Sequence, residues 1–244
     1  MWAWALLPVL LAVAGTLGIW VVFGIAVSNG TVNLTVEFPY ISTCGSYNPQ
    51  SCLFAQIINL CAVLVVWIVV LRFQQIRDYG HKSKVNVASV VLGFISALGI
   101  SFVGNFQQTV VMGAHLFGAF LAFYVGVIYF WLQLWLTYKV EPSQDRCWVG
   151  PLRAIFCTVC TVLIVVSILH LQRLHLSILH NNHLRSAAAI CEWLAVMSFF
   201  MLFGLFAAEF RHIDCHRLTV QTQTKAGKPR ENASLEFQII ALML

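Results

Sequence analysis

The sequence predicts an all-α, polytopic membrane protein, a bundle of six transmembrane helices with both termini in the cytosol. Composition is the first reason, because 60% of the 244 residues are hydrophobic and 9% are charged, whereas a soluble domain carries about 25% charge. The second reason is spacing. A helix needs about 20 apolar residues to cross a bilayer, and such runs occur at about 4–27, 52–71, 85–104, 113–138, 151–171 and 187–208.

The positions of Lys and Arg set the predicted orientation, because these residues resist translocation and collect on the cytosolic side. Most of them fall in or beside the second and fourth connecting loops and the C-terminal tail: Arg72, Arg77, Lys82, Lys84, Lys139, Arg146, Arg153, Arg211, Arg217, Lys225, Lys228 and Arg230. Only Arg173 and Arg185 lie on the opposite side. We therefore expect a membrane domain over 1–211 and a cytosolic tail over 212–244. The net charge of +5 follows from this asymmetry and gives no reason to expect a nucleic acid.

The first run begins at residue 2 without a basic segment before it and continues past the length of a signal peptide. No clear small-residue cleavage site follows near Ser28, so a retained signal anchor is expected. The sequons at Asn29 and Asn33 come directly after this run, on the side that the charges place outside the cytosol. Both are candidate glycosylation sites, and Asn33 is the better one because Asn29 is closer to the bilayer.

The stretch 38–59 predicts a turn-rich cap at the mouth of the second helix, since Pro39, Pro49 and Gly45 restrict or bend the backbone. Cys44 and Cys52 lie eight residues apart on the oxidising side of the membrane. They are a disulfide candidate, with two free thiols as the alternative. A zinc site is disfavoured because the cap contains no histidine.

In the second run, Gln56 and Asn59 are three residues apart and share one helical face. Hydrogen bonding to a neighbouring helix is the favoured interpretation, and a transport path is the alternative. The third run is rich in small residues that permit close helix packing. The fourth carries aromatic residues toward its cytosolic end, where Trp and Tyr prefer to lie.

The loop after the fifth run contains a histidine cluster that is a candidate pH sensor, or else only a polar interfacial segment: His170, His175, His180 and His183. Glu192 is the one carboxylate clearly inside an apolar run. Such a residue should face the bundle or a water-filled cavity, with Arg185 or a histidine as partner. It marks either a functional site or a hydrogen bond that locks helices together. Glu209 and Arg211 close the sixth run and suggest only interfacial roles.

Several short motifs together resemble the DRAM and transmembrane-150 family of six-helix proteins. They are Phe38-Pro39-Tyr40-Ile41-Ser42, Cys44-Gly45, Pro49, Ser51-Cys52, Phe54, Gln56, Asn59, Gly104-Asn105-Phe106-Gln107 and Cys191-Glu192-Trp193. The chain departs from the family pattern at Asn48 and in the histidine-rich loop. The resemblance implies a non-enzymatic regulator of macroautophagy and of cell survival under nutrient stress, in the plasma membrane, endosome, lysosome or autophagosome membrane.

The expected partners are the lipid bilayer and unidentified cytosolic or membrane proteins, and no cofactor, metal ion or catalytic residue is expected. One alternative function is an ion channel or channel modulator, for which Glu192, Gln56 and Asn59 would be the lining. A second is a regulator of phosphoinositide kinase recruitment or of lipid remodelling, which relatives suggest. As an enzyme it would need Glu192 together with His115 or His183, and no hydrolase or acyltransferase motif supports it.

Overall fold

The computed structural model describes residues 3–80, 83–140, 145–176, 182–213, 218–219 and 236–237, with the backbone alone at 170–176, 218–219 and 236–237. Six helical segments in this part of the chain are long and apolar enough to cross a membrane: Ala3–Ser28, Gln50–Asp78, Lys84–Asn105, Met112–Lys139, Arg146–Leu169 and Asn182–Phe210. Each contains one of the predicted runs or, for the fifth, nearly all of it. The all-α class and the multi-pass architecture are confirmed.

The secondary structure begins with a short 3-10 turn, Ala3–Ala5. The helices are α1 (Leu6–Ser28), α2 (Ile41–Cys44), α3 (Gln50–Asp78), α4 (Lys84–Asn105), α5 (Met112–Phe120), α6 (Gly126–Lys139), α7 (Arg146–Leu176), α8 (Asn182–Gly204) and α9 (Phe206–Phe210). A π-helical turn, Leu121–Val125, joins α5 to α6. In the tail, β1 (Leu218–Thr219) pairs antiparallel with β2 (Glu236–Phe237).

Helix α3 packs between α1 and α4, while α7 packs against both α6 and α8, and contacts of α1 with α8 close the bundle. Helices α4 and α5 approach each other most closely at two glycines. A Cβ atom added to Gly118 would lie 2.6 Å from the Cβ of Phe102, and one added to Gly99 would lie 2.6 Å from the Cβ of Leu121. This contact explains the small residues of the third run, because only small residues let helix backbones come so near.

Aromatic residues fill the core where α6, α8 and α9 meet. Phe130 and Phe206 are completely buried, and the ring of Phe203 lies 4.8 Å from that of Phe130 in an edge-to-face arrangement. Such pairs add about 0.5–1.5 kcal/mol beyond the burial of area. Contacts between aromatic rings therefore contribute much of the packing between α6, α8 and α9.

Both ends of the described membrane domain lie on the same side of the bundle, because the Ala3–Ala5 turn packs against α9. We call this side the basic end; the ends of the helices at Asp78, Lys84, Lys139, Arg146 and Arg211 lie there. The opposite side, with residues 29–49 and the start of α8, is the cap end. That the basic end faces the cytosol stays a prediction from the charges.

Two helices extend beyond their predicted limits at the basic end. Helix α3 continues to Asp78, seven residues past the apolar run, because Arg72 and Gln75 are buried inside the bundle. Helix α7 begins at Arg146, so Arg153 lies within the helix and not in a loop. At its other end α7 reaches Leu176, which places the backbone of His170 and His175 in a helix.

Candidate functional site

The cap is clamped onto the first turns of α8 by hydrogen bonds between two of the sequence motifs. The backbone N–H of Phe38 donates to Ser186 Oγ at 2.9 Å, and the indole Nε1–H of Trp193 donates to the carbonyl oxygen of Pro39 at 3.0 Å. Near them, Arg185 and Glu37 form a half-exposed ion pair at 3.2 Å. The Phe38–Ser42 and Cys191–Trp193 motifs are thus parts of one structure.

Trp193 also anchors an aromatic cluster that ties α1 to the cap. Its ring centroid lies 4.6 Å from that of Trp20, 5.5 Å from that of Phe23 and 6.0 Å from that of Phe38. Trp193 is buried. The indole therefore serves as both an apolar anchor and a hydrogen-bond donor, the combination that makes buried Trp specific in its placement.

Glu192 lies beneath the cap, and the backbone N–H groups of Ile41 and Ser42, in the first turn of α2, interact with its carboxyl group. Its Oε2 atom is buried and has no hydrogen-bond partner among the described residues. Arg185, a predicted partner, pairs instead with Glu37. The structure thus places Glu192 inside the bundle, as the sequence predicts for an intramembrane acid.

Polar side chains join α3 and α4 near the cap end. Asn59 and Asn105 exchange hydrogen bonds at 2.9 and 3.1 Å, and Ser101 Oγ donates to Asn59 Oδ1 at 2.7 Å. Gln56, one turn before Asn59, is instead exposed. The interhelical interpretation thus describes Asn59, while Gln56 does not share its environment.

Gln108 and His115 extend the same end of the bundle. Ser42 Oγ donates to Gln108 Oε1 at 2.8 Å, which connects α2 to the turn after α4. His115 is buried, and its Nδ1 lies 2.7 Å from the carbonyl oxygen of Phe106. His115 and Glu192 line one cavity of about 110 Å³.

Cys44 and Cys52 are both free thiols in the structure, Cys44 buried and Cys52 exposed. Burial, with the charge of Glu192, raises the pKa of Cys44 to about 12. The disulfide is therefore not formed in this conformation, and the pairing stays a prediction.

The two glycosylation candidates differ in their surroundings, although both are exposed. The side chain of Asn29 donates to Gln50 Oε1 at 3.4 Å, and the hydroxyl of its sequon residue Thr31 donates to the carbonyl oxygen of Ala26 at 2.9 Å. Among the described residues, the side chain of Asn33 is bonded within its own sequon, with Thr35 Oγ1 2.7 Å from its Oδ1. The predicted preference for Asn33 over Asn29 fits this geometry.

The histidine cluster falls largely outside the described residues. His180 and the side chains of His170 and His175 are not described, and His183 lies in the first turn of α8. Where the side chains are described, no group of three or more His, Cys, Asp or Glu residues is arranged to hold a metal ion.

A second polar site, which sequence reasoning missed, lies inside the basic end. We call Arg72, Arg153 and Glu209 the Arg–Glu cluster. Glu209 Oε1 lies 2.8 Å from Arg72 Nη2, and Glu209 Oε2 lies 2.7 Å from Arg153 Nη2. Arg153 is 0% exposed, and the other two are at most 7% exposed. The predicted interfacial role of Glu209 is therefore wrong, because α9 turns this side chain inward.

Neighbouring groups satisfy most of the cluster. Gln133 Oε1 accepts from Arg72 Nε at 3.2 Å, and Thr137 Oγ1 accepts from Arg153 Nη1. The guanidinium carbon of Arg153 lies 4.7 Å from the centre of the Phe206 ring, a cation–π contact. Gln133 and Thr137 are four residues apart in an aromatic run, and this shared polar face was the signal in the sequence that could have indicated the cluster.

Asp145 connects the loop before α7 to the end of α9. It forms an ion pair with Arg211, lies 2.9 Å from His212 Nε2 and accepts from Trp148 Nε1 at 3.1 Å. Burial alone would raise the pKa of Asp145, but the hydrogen bonds from His212 and Trp148 and the charge of Arg211 outweigh it and hold that pKa below its ordinary value. No pattern in the sequence indicates that Asp145 contacts the C-terminal end of the bundle.

Comparison with known proteins gives matches over almost the whole chain. The family model described as the Frag1/DRAM/Sfk1/Cwh43P N-terminal domain matches residues 3–213. Three similar proteins share the name modulator of macroautophagy TMEM150B. That of Danio rerio is 59% identical over 91% of this chain and 92% of its own. That of Xenopus tropicalis is 50% identical over 98% and 100%, and that of Homo sapiens is 46% identical over 94% and 95%. No solved structure matches.

Proposed function

The chain belongs to the Frag1/DRAM/Sfk1/Cwh43P family, and from this premise we propose that it is a non-enzymatic membrane modulator of macroautophagy acting through cytosolic partners. The observation that carries the proposal is the name shared by relatives that match nearly end to end. The family resemblance indicated by the motifs is confirmed. Support of cell survival under nutrient stress, in the plasma membrane, endosome, lysosome or autophagosome membrane, belongs to the same proposal.

The arrangement of the two polar sites supports different roles for the cap end and the basic end. The cap end is held closed by the contacts of Trp193 and Ser186 with the cap. At the basic end, partly exposed Arg211 forms an ion pair with buried Asp145, where the start of α7 meets the end of α9. We place partner binding at this basic end together with the tail that follows Ile213, because the charges predict that both face the cytosol.

A channel is the weaker alternative. Its three expected lining residues do not come together, since Gln56 is exposed, Asn59 is bonded to Asn105, and Glu192 lies under the cap. The cavity that Glu192 lines is otherwise mostly apolar. One observation supports lipid remodelling: His115 lines the same cavity as Glu192. Neither arrangement outweighs the match to macroautophagy modulators.

The test of the proposed function is autophagic flux in starved cells. Cells that lack their own copy of the gene are compared with the same cells re-expressing the protein at its normal level. Flux is the difference in lipidated autophagosome marker with and without a lysosomal inhibitor. We expect re-expression to restore the flux of the parental cells; equal flux with and without the protein would overturn the proposal.

The partner prediction has a separate test. A proximity-labelling enzyme is fused to the C terminus, and a matched fusion carries it in the exposed loop near Asn33. We expect the C-terminal fusion to label cytosolic proteins in a starvation-dependent manner, while the loop fusion labels none of them. Identical labelling by both fusions would contradict a cytosolic binding surface.

A further inference from the structure

A cavity of about 110 Å³ lies within the bundle, lined by α1, α2, α3, α4, α5, the π-helical turn and α8. Its polar end is formed by Ser42, His115 and Glu192, and its walls are apolar, with Phe54, Ile58 and Phe203 among them. From Glu192 to Phe203 is eleven residues of helical chain, or about 16 Å along the helix axis. The cavity is therefore elongated, with one polar end beneath the cap.

The hydrogen bonds at the polar end leave acceptors unfilled. Because the carbonyl oxygen of Phe106 can only accept, the proton of a neutral His115 ring lies on Nδ1, and Nε2 keeps its lone pair. The Ser42 hydroxyl proton is directed to Gln108. Glu192 Oε2 is buried and lacks a partner among the described residues. A ligand at this end must therefore supply donors.

The negative charge of Glu192 places a second requirement on a ligand of the cavity. In the described part of the chain no ion pair of Glu192 is formed, and Arg185 forms one with Glu37. A buried carboxylate without a cation is costly. A ligand that carries positive charge offsets this cost, whereas a ligand carboxylate would be repelled.

We propose that this cavity binds a small protonated primary amine, with its ammonium group at Glu192 and its alkyl part along the apolar walls. An ammonium group has three donors and no acceptor, which matches the unfilled acceptors of Glu192 and His115. An apolar cavity of about 150 Å³ holds one benzene molecule. A cavity of about 110 Å³ accordingly accommodates an alkyl part of roughly four or five carbon atoms. The site is independent of the proposed role in macroautophagy.

The experiment uses the full-length protein in phosphatidylcholine nanodiscs at pH 7, with n-pentylamine as probe and 1-pentanol and pentanoate as controls of equal length. We expect n-pentylamine to raise the Tm saturably, 1-pentanol to raise it less, and pentanoate to leave it unchanged. Among alkylamines, affinity is expected to peak near pentylamine and to fall for decylamine, because the volume of its alkyl chain exceeds the roughly four or five carbon atoms that the cavity accommodates.

Variants separate binding in the cavity from partition into the bilayer. Glu192→Gln should weaken n-pentylamine binding at least tenfold, while the matched control Glu37→Gln, whose carboxylate pairs with Arg185 outside the cavity, should bind as the wild type does. Val196→Phe keeps Glu192 but fills the cavity, and it should also abolish binding. The proposal is overturned if n-pentylamine leaves the wild-type Tm unchanged, or shifts wild type, Glu192→Gln and Val196→Phe equally.

Discussion

Glu209 holds the basic end together, because it lies between two buried arginines. Its two oxygens lie 2.8 and 2.7 Å from Arg72 and Arg153. A buried ion pair contributes little compared with apolar packing, but removing one partner leaves an uncompensated charge. Removing one member of the cluster is therefore expected to destabilise the protein, because the remaining charges stay buried.

Substitution Glu209→Gln is expected to destabilise the protein by about 3–5 kcal/mol, because it leaves two arginines buried without a counter-charge. Thermal unfolding in nanodiscs measures the effect as a lower Tm. Asp78→Asn, at an exposed acid of the same end, is the matched control and should leave the Tm nearly unchanged. A Glu209→Gln protein as stable as the control would show that the cluster is not formed.

The two cap cysteines can be distinguished by alkylation. A thiolate is the reacting form, and burial raises the pKa of Cys44 to about 12. In the native protein we expect iodoacetamide to modify exposed Cys52 and to spare Cys44 until the protein is denatured, as mass spectrometry of the peptides would show. Protection of both cysteines until a reductant is added would instead establish the disulfide that the sequence predicts.

Among the elements, α8 and α9 connect the two sites, since Trp193 holds the cap at one end and Glu209 holds the cluster at the other. Asp145 then joins the end of α9 to the start of α7 through Arg211. These contacts are tertiary, and each joins residues far apart in the chain. Helices α8 and α9 together therefore link the cap end to the basic end.

The link at Asp145 is expected to depend on pH. A carboxyl group whose pKa falls on folding adds stability above its ordinary pKa of 3.8, and that stability is lost as the pH falls through the lower folded value. Asp145→Asn should therefore lower stability by about 1 kcal/mol at pH 7 and equally at pH 5, given the partial exposure of Arg211.

Unfolding of both forms from pH 7 to pH 3 measures this difference, which should shrink only below the ordinary pKa of Asp145. A difference that already disappears between pH 7 and pH 5 would contradict the assignment to Asp145. It would show that the pH dependence arises from another group.

Hydropathy alone was enough to predict the six helices, because an apolar run of spanning length has few alternatives in a membrane protein. It could not predict the ends of α3 and α7. The second predicted run ends before Arg72 and the fifth begins only at 151, next to charged loop residues, yet Arg72 and Arg153 are both buried because Glu209 contacts them in the folded bundle. Whether these three side chains come together depends on how helices that are distant in the chain pack, and a single sequence does not show that packing.

Only part of the candidate site could be predicted, because its contacts also join residues that are distant in the chain. Glu192 stood out as an acid in an apolar run, and the structure places it beside the cap. The hydrogen bond from Trp193 to Pro39 could not be foreseen, because these residues are 154 positions apart. The family resemblance includes motifs in both segments, but it does not show that the two segments are in contact.

For the whole molecule, the orientation in the membrane is the prediction on which the function depends. If the cap end lies outside the cytosol, Asn33 is open to glycosylation, whereas Asn29 and Thr31 are engaged with Gln50 and Ala26. We expect Asn33→Gln to abolish the gel shift produced by glycosidase treatment and Asn29→Gln to preserve it. A shift lost only with Asn29→Gln would contradict the assignment between the two sequons, and no shift in the wild type would count against the orientation.

The role that we propose for the protein is modulation of macroautophagy from its basic end and tail, which the charges predict to be cytosolic. The most direct measurement is autophagic flux in starved cells that lack their own copy and express either the full chain or a chain ending at Ile213, at equal levels in the same membranes. We predict that the full chain restores flux and that the shortened chain, which retains the bundle and its cap, does not. Full restoration by the shortened chain, or none by either form, would contradict the account.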